Sequence, residues 1–342
     1  MDIRNRKALR READAAVAAN TGDPRLALLV YVAVSLLGSL AIAILRTILG
    51  NRIATTGGLQ NLGLQAMLTT IQTAAPLIWA IAMMGLDLGR QSVCLNMVRR
   101  RRVEPRSLLA GFPKLGGLIR AGFLQGALYL LILILAVNVG SIIFMATPLA
   151  QDLYAIVAEI AMDSEALYEA LYNDPEFLNQ VFSAMLPVYP IVAVLFLIVA
   201  VPVFYRYRMT NYCLLDQPRN SALVAMGESI SITKGSRWAL VKLDLSFWWF
   251  YLGLTLCGVV MYGDVLLEMV GIVLPWNPTV NYYVFYVAAL VLEGLLYYFS
   301  LNRIQTTYAA AYEALRPKMQ TAPTGGVVLG NIFDLARDRK NK

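Results

Sequence analysis

The chain has 342 residues, is 58% apolar and only 15% charged, and has a mean hydropathy of +0.59, which excludes an ordinary soluble protein. Its net charge of +7 would suit nucleic acid, but the basic residues stand beside apolar runs rather than along one polar face. They act as membrane-topology signals and as contacts to anionic lipid, so membrane lipids are the expected partners and nucleic acid is not.

The N-terminal segment, residues 1–25, is polar and basic, with Arg4, Arg6, Lys7, Arg10 and Arg11. The apolar run that follows, 26–49, is too long for a signal-peptide core and reads as a retained span with its N-terminus inside. Arg46 sits near its outer end, where it can snorkel. Residues 50–63 form an outer loop. The second span, 64–86, is diluted by Gln65, Thr69, Thr70, Gln72 and Thr73 and carries Pro76. Its hydroxyls and amides are expected to bond neighbouring helices.

Residues 90–120 are inside, with eight basic residues (Arg90, Arg99 to Arg102, Arg106, Lys114 and Arg120) against Glu104. Within them, 105–119 has the pattern of a surface-lying re-entry segment. The third span is 121–145, with Asn138 as its strongly polar member. From 121 to 205 there is no lysine or arginine, yet the stretch carries seven acids from Asp152 to Glu176, as a translocated loop between spans requires. In that outer loop, 149–186, apolar residues recur at helical spacing, Asp163 is placed as an N-cap, and Asp174-Pro175 is placed as a cap followed by a first-turn proline.

The fourth span is 187–205. Residues 206–242 return inside with six basic residues against two acids, and Asn220 is placed to cap a helix stopped by Gly235. The fifth span is 243–262. An outer loop follows with Asp264, Glu268 and the turn Pro275-Trp276-Asn277-Pro278. The sixth span is 282–302, and 316–342 reads as a mostly disordered cytoplasmic tail. The result is an all-α polytopic transmembrane helical bundle of about six spans (domain 26–315), with both termini cytoplasmic, in the cytoplasmic membrane of a bacterium.

Several short motifs lie in the second half: Tyr205-Arg206-Tyr207-Arg208-Met209, Leu215-Asp216-Gln217-Pro218, Ser229 to Lys234-Gly235, Asp244-Leu245-Ser246-Phe247-Trp248-Trp249, and Thr306-Thr307-Tyr308-Ala309-Ala310-Ala311-Tyr312. In these, residues 204–315 resemble the integral membrane family known as domain of unknown function 975. Two features depart from the family pattern. Val201-Pro202-Val203 stands where a proline-glycine is usual, and the proline-tyrosine before the last stretch is missing. The resemblance implies a multi-span membrane protein and carries no reaction with it.

The candidate site residues are few. Glu293 lies near the middle of the sixth span, where an unpaired carboxylate costs at least about 2.5 kcal/mol. It is either a proton or cation coupling site or a protonated, hydrogen-bonded acid, and under both readings it faces the bundle. Asp244 lies at the inner mouth of the fifth span, where Lys242, Arg237 or Arg206 could pair with it. Arg99, Arg100, Arg101 and Arg102 are topology determinants or anionic-lipid contacts. Trp248, Trp249, Tyr251, Tyr282, Tyr283, Tyr286, Tyr297 and Tyr298 are placed as interfacial belts.

The chain contains no histidine, and Cys94, Cys213 and Cys257 stand apart, as packing thiols do. No phosphate loop, nucleophile elbow, zinc motif or dinucleotide fingerprint occurs, so no cofactor, metal or catalytic residue is expected. The outer acids lack EF-hand spacing. Three function classes follow: a non-enzymatic membrane factor organising lipids or partner proteins, a small-solute or ion carrier coupled through Glu293, and a membrane-embedded enzyme, against which the lack of histidine and of any catalytic motif weighs. The partition of charge predicts that a cysteine placed at Asp163 is labelled from outside the cell, while one placed at Arg101 is not. The reverse pattern overturns the topology.

Overall fold

Backbone in lipid must satisfy its own hydrogen bonds, so an apolar run of twenty or more residues becomes a helix. The computed structural model describes residues 3, 5–20, 22–55, 61–160, 175–217, 221–272 and 274–316, and every regular element among them is helical. In chain order these are α1 Arg6–Ala18, α2 Pro24–Thr55, α3 Leu62–Val98, a 3-10 segment Pro105–Lys114, α4 Leu115–Met145, a 3-10 turn Pro148–Ala150, α5 Gln151–Ile160 and α6 Pro175–Met185. They continue with α7 Val188–Tyr207, α8 Thr210–Asp216, α9 Ala222–Thr233, α10 Arg237–Leu245, α11 Trp248–Met261, α12 Gly263–Met269 and α13 Pro278–Leu315. Among the described residues five stretches are long and apolar enough to cross a membrane, or six if the bent pair α10–α11 counts as one span. The chain is thus an all-α, multi-span protein. It divides into two compact units, 1–118 with 208–342, and 119–207.

The smaller unit holds most of α4, then α5, α6 and α7. Phe144, Ala150 and Leu153 are buried in it against Val181, Ala184, Val188 and Ile191. The amide of Asn138 turns back to the Ile134 carbonyl, 2.7 Å away on its own helix. Helices α5 and α6 occupy the stretch where apolar spacing pointed to helix. Asp163, Asp174 and the helical spacing at 167–172 lie outside the described residues, as do Asn220 and 317–342.

In the larger unit, α3 and α13 each pass through two environments. With 38 residues, α13 is about 57 Å long, nearly twice the ~30 Å of a bilayer core. The buried residues of α3 run from Gly85 to Met97, and most of those of α13 from Ser300 to Leu315. The remaining lengths expose Leu77, Ile78, Val291, Leu295 and Phe299, as lipid-facing surface should. Each helix therefore runs about three turns past the apolar span predicted for it, into a core packed by protein. The cap of α13 is local: the side chain of Asn277 accepts from the Thr279 N–H at 2.9 Å and Pro278 occupies the first turn.

Two expectations need correction, and a third is refined. Residues 105–114 run along α3 with Leu108 and Gly111 buried and Leu109 and Phe112 exposed. A Cβ on Gly89 would strike the Leu108 carbonyl, and one on Gly111 would strike the Gly85 carbonyl, so three glycines let the two backbones touch. The threonines of the second span do not reach neighbouring helices. Thr69, Thr70 and Thr73 donate to carbonyls of their own helix at 2.8–3.0 Å, whereas Gln72 does reach the Arg46 carbonyl of α2 at 3.4 Å. The fifth span is not straight: α10 and α11 meet at 56° around Ser246 and the buried Phe247, with Ser246 Oγ donating to the Leu243 carbonyl at 2.6 Å.

Helix α1 is capped by Asn5, which accepts from Ala8 N–H at 3.1 Å. Its buried stripe, Leu9, Ala13 and Ala16, packs on α13 and α3. Gly235 ends α9 with φ +78°, the left-handed stop expected of it.

Candidate functional site

The short helix α8 presents Asp216 where α3 ends. Arg99, the residue closing α3, forks onto that carboxylate with both Nη atoms at 2.7 Å, and its Nε donates to Glu313 at 2.7 Å. Tyr312 donates its hydroxyl to Asp216 at 2.8 Å, and Arg316 approaches at 3.4 Å. Tyr312 also stacks on Tyr212, with ring centroids 5.4 Å apart. Lys114 donates to the Gln217 carbonyl. The Arg99 and Asp216 side chains are only 17% and 16% exposed, so this is a half-desolvated, bidentate, charge-assisted network. The hydrogen bonds that Arg99 donates to Asp216, with the one to Glu313, hold its guanidinium protonated beyond its ordinary range, against the opposing effect of burial.

A second cluster adjoins it along α13. Arg208 pairs with Asp244 at 3.4 Å and lies 4.3 Å from the centre of the Tyr308 ring. Tyr308 meets Phe247, over which Arg10 of α1 sits at 4.5 Å. Arg10 also donates to the carbonyl and the hydroxyl of Ser246, both at 2.6 Å. The Met209 N–H donates to Ser229 Oγ at 3.2 Å. The motifs picked out in sequence as separate words thus touch one another: the arginine of the first, the aspartate of the second, the serine of the third, the Asp-Leu-Ser-Phe run and both tyrosines of the last.

A third cluster lies along α3, next to α2. Asp87 accepts from Arg90, from Gln91 at 3.1 Å and from the Tyr31 hydroxyl at 3.3 Å. Arg90 is 5% exposed and stacks 4.9 Å from the Tyr31 ring centre.

The residues singled out in sequence fare differently. Asp244 is paired, and the partner seen is Arg208, two residues from the candidate Arg206. The four arginines separate: Arg99 is engaged by Asp216 and Glu313. Arg100 takes a left-handed φ of 58° at the exit of α3 and donates to the Ala15 carbonyl at 3.0 Å. Arg101 and Arg102 are exposed, Arg102 lying 3.6 Å from Glu104. Glu293 is half-buried on α13, and Tyr297 one turn on and Cys257 of α11 both feel its charge. Two belt tyrosines instead tie α13 to α2: Tyr283 donates to Thr47 Oγ1 at 2.6 Å, and Tyr286 to the Ser39 carbonyl at 3.2 Å. All three cysteines are buried. Asp216, Glu313, Asp87, Arg90 and Tyr31 were not singled out; the one signal that pointed to any of them was the Leu-Asp-x-Pro motif around Asp216.

Chemically, the Asp216 cluster is saturated: both oxygens of the carboxylate accept, and the guanidinium of Arg99 donates through all three nitrogens. Such an arrangement fixes helices rather than turning over substrate. Removing one member strands the others, at a cost of about 3 kcal/mol or more. Asp216→Ala should therefore lower the melting temperature of the detergent-purified protein well below that of wild type. Arg102→Ala, which removes an exposed pair, should leave it unchanged. Equal melting of both variants would refute the assignment.

No match is found among curated proteins or among solved structures. The match to a family is broad: it spans residues 1–319, and so takes in the first 200 residues as well as the motif-bearing 204–315. A profile that covers α1, both long helices and the whole network they share settles membership, and the chain belongs to the family described as "Protein of unknown function (DUF975)".

Proposed function

We propose that this protein is a non-enzymatic integral factor of a bacterial cytoplasmic membrane that organises anionic lipids or partner proteins at its basic, cytoplasmic end. The observation that carries this reading is the helix α10. It turns 56° away from the span α11, buries Leu240 and Leu243, and leaves Trp238, Lys242 and Leu245 exposed. An exposed indole, a lysine and a leucine on one helical stripe is the composition of a headgroup-level element. A cleft of about 280 Å³ beside it is lined by Arg6, Lys242, Trp238 and Gly235, with the Lys242 ammonium 5.9 Å from the Trp238 ring centre. Each basic residue there contributes about 1 kcal/mol toward an anionic surface, and Arg101 and Arg102 add to the same field.

Retention of phosphatidylglycerol by the detergent-purified protein, followed by native mass spectrometry against phosphatidylcholine, tests this. Arg6→Gln with Lys242→Gln should cut retention several-fold and leave the phosphatidylcholine signal unchanged. Retention equal to wild type would overturn the reading.

A carrier coupled through Glu293 is the second reading, favoured by the acid's half-buried place beside Tyr297 and Cys257. The packing around it argues for the first. Gly294 is pressed by Leu36 of α2, and Gly253 of α11 by Leu296, so the helices close on α13 from two sides of the acid. Glu293→Gln should keep the fold, because the amide still bonds, whereas Glu293→Leu should melt lower by leaving Tyr297 without its partner. A Glu293→Leu protein that melts like wild type removes the carrier's one intramembrane candidate.

A further inference from the structure

The connection between α11 and α13 builds a second cleft, at the ends of these helices opposite Asp216. Its volume is about 270 Å³, and Asp264, Glu268, Trp276 and Asn281 are among its lining residues. Asp264 and Glu268 are four residues apart on α12 and so share one face, where two like charges repel. No lysine or arginine lies within ion-pair distance of either among the described residues, although Arg46 and Asp264 both act on neighbouring Tyr282.

Asn281, on the first turn of α13, is 9% exposed. Its amide nitrogen donates to the Trp276 carbonyl at 3.2 Å, which fixes the orientation of the amide. Its Oδ1 is buried and has no hydrogen-bond partner, and the same is true of Oδ1 of Asp264. Buried acceptors without a donor are rare in native proteins and each calls for an occupant. Two carboxylates and an amide oxygen, with no donor supplied by the protein, form an all-oxygen set of net charge −2. That is the donor chemistry of a hard divalent cation. A lysine would fill the gap with one charge, but none is there. No three acids or cysteines gather anywhere among the described residues, so the amide is what completes this set.

We propose that Asp264, Glu268 and Asn281 bind a divalent cation of the Ca²⁺ and Mg²⁺ class, with water in the cleft filling the remaining positions. The ion clips α12 to the start of α13, cancels the repulsion between the two acids and satisfies both orphaned oxygens. It is independent of the lipid cleft, which lies on α1 and α10.

Terbium luminescence tests the site, because Trp276 lies in its wall and can sensitise a bound lanthanide. Full-length protein in a neutral detergent, stripped with a chelator, should show saturable Tb³⁺ emission on indole excitation. Ca²⁺ or Mg²⁺ should displace it, and the more effective competitor identifies the preferred ion. Asp264→Asn with Glu268→Gln should weaken binding at least tenfold while melting no lower than stripped wild type, since the repulsion is gone. Asn281→Ala should weaken it less, and Trp276→Phe should dim the emission without changing the competing Ca²⁺ concentration. Absence of saturable emission, or a double variant that binds like wild type, overturns the proposal.

Discussion

The carboxylate of Asp216 is where the larger unit is tied together. Arg99 reaches it from 117 residues away and Tyr312 from 96, and Glu313 takes the third nitrogen of the same guanidinium. A bidentate fork is directional, so it sets the rotation of α3 and α13 about their axes as well as their separation. Lipid supplies no comparable force, because tails are as apolar as the leucines they touch and helix association there rests on close packing. The position of the membrane-exposed lengths therefore depends on an ionic joint outside them, helped by the glycine contacts among α2, α11 and α13.

This division explains the burial pattern. Where α3 and α13 are lipid-facing, large apolar side chains such as Leu77, Ile78, Val291 and Phe299 are exposed. Where α13 continues past the span, its side chains shrink to alanine, serine and threonine: Ala309, Ala310 and Ala311 are at most 2% exposed, and Thr306 and Thr307 are fully covered. Small residues let α1, α3 and α8 approach one central rod closely, and tyrosines 308 and 312 fill the corners with rings whose faces take cations or other rings.

The spans were legible in the sequence because hydropathy is a local, additive signal. The network was not, because its members look like ordinary charges wherever local context is all there is. Arg99 sits in a run of four arginines, and nothing in that run distinguishes it from Arg101; the distinction is that α3 ends with its side chain facing α8. Asp87 and Arg90 break the apolar run after 86, yet the two pair with each other and the helix continues to Val98. Leu243 to Met261 is apolar enough to pass for one span, which hides the bend between α10 and α11. Asp244 reads as an anchor, and the partner seen, Arg208, lies 36 residues away and two from the candidate Arg206.

The docking of α1 has a consequence for the order of assembly. Arg6 and Arg10 donate to Lys242 and Ser246, each 236 residues on, and Arg303 reaches back 289 residues to Asp14. Helix α1 also meets α3, made early, where Arg100 donates to the Ala15 carbonyl, so it has a partial seat before its later partners are synthesised. Its Leu9, Ala13 and Ala16 stripe is fully covered only once α13 has joined it. A protein truncated before residue 300 would keep the α3 and α10 contacts of α1 and lose those to α13.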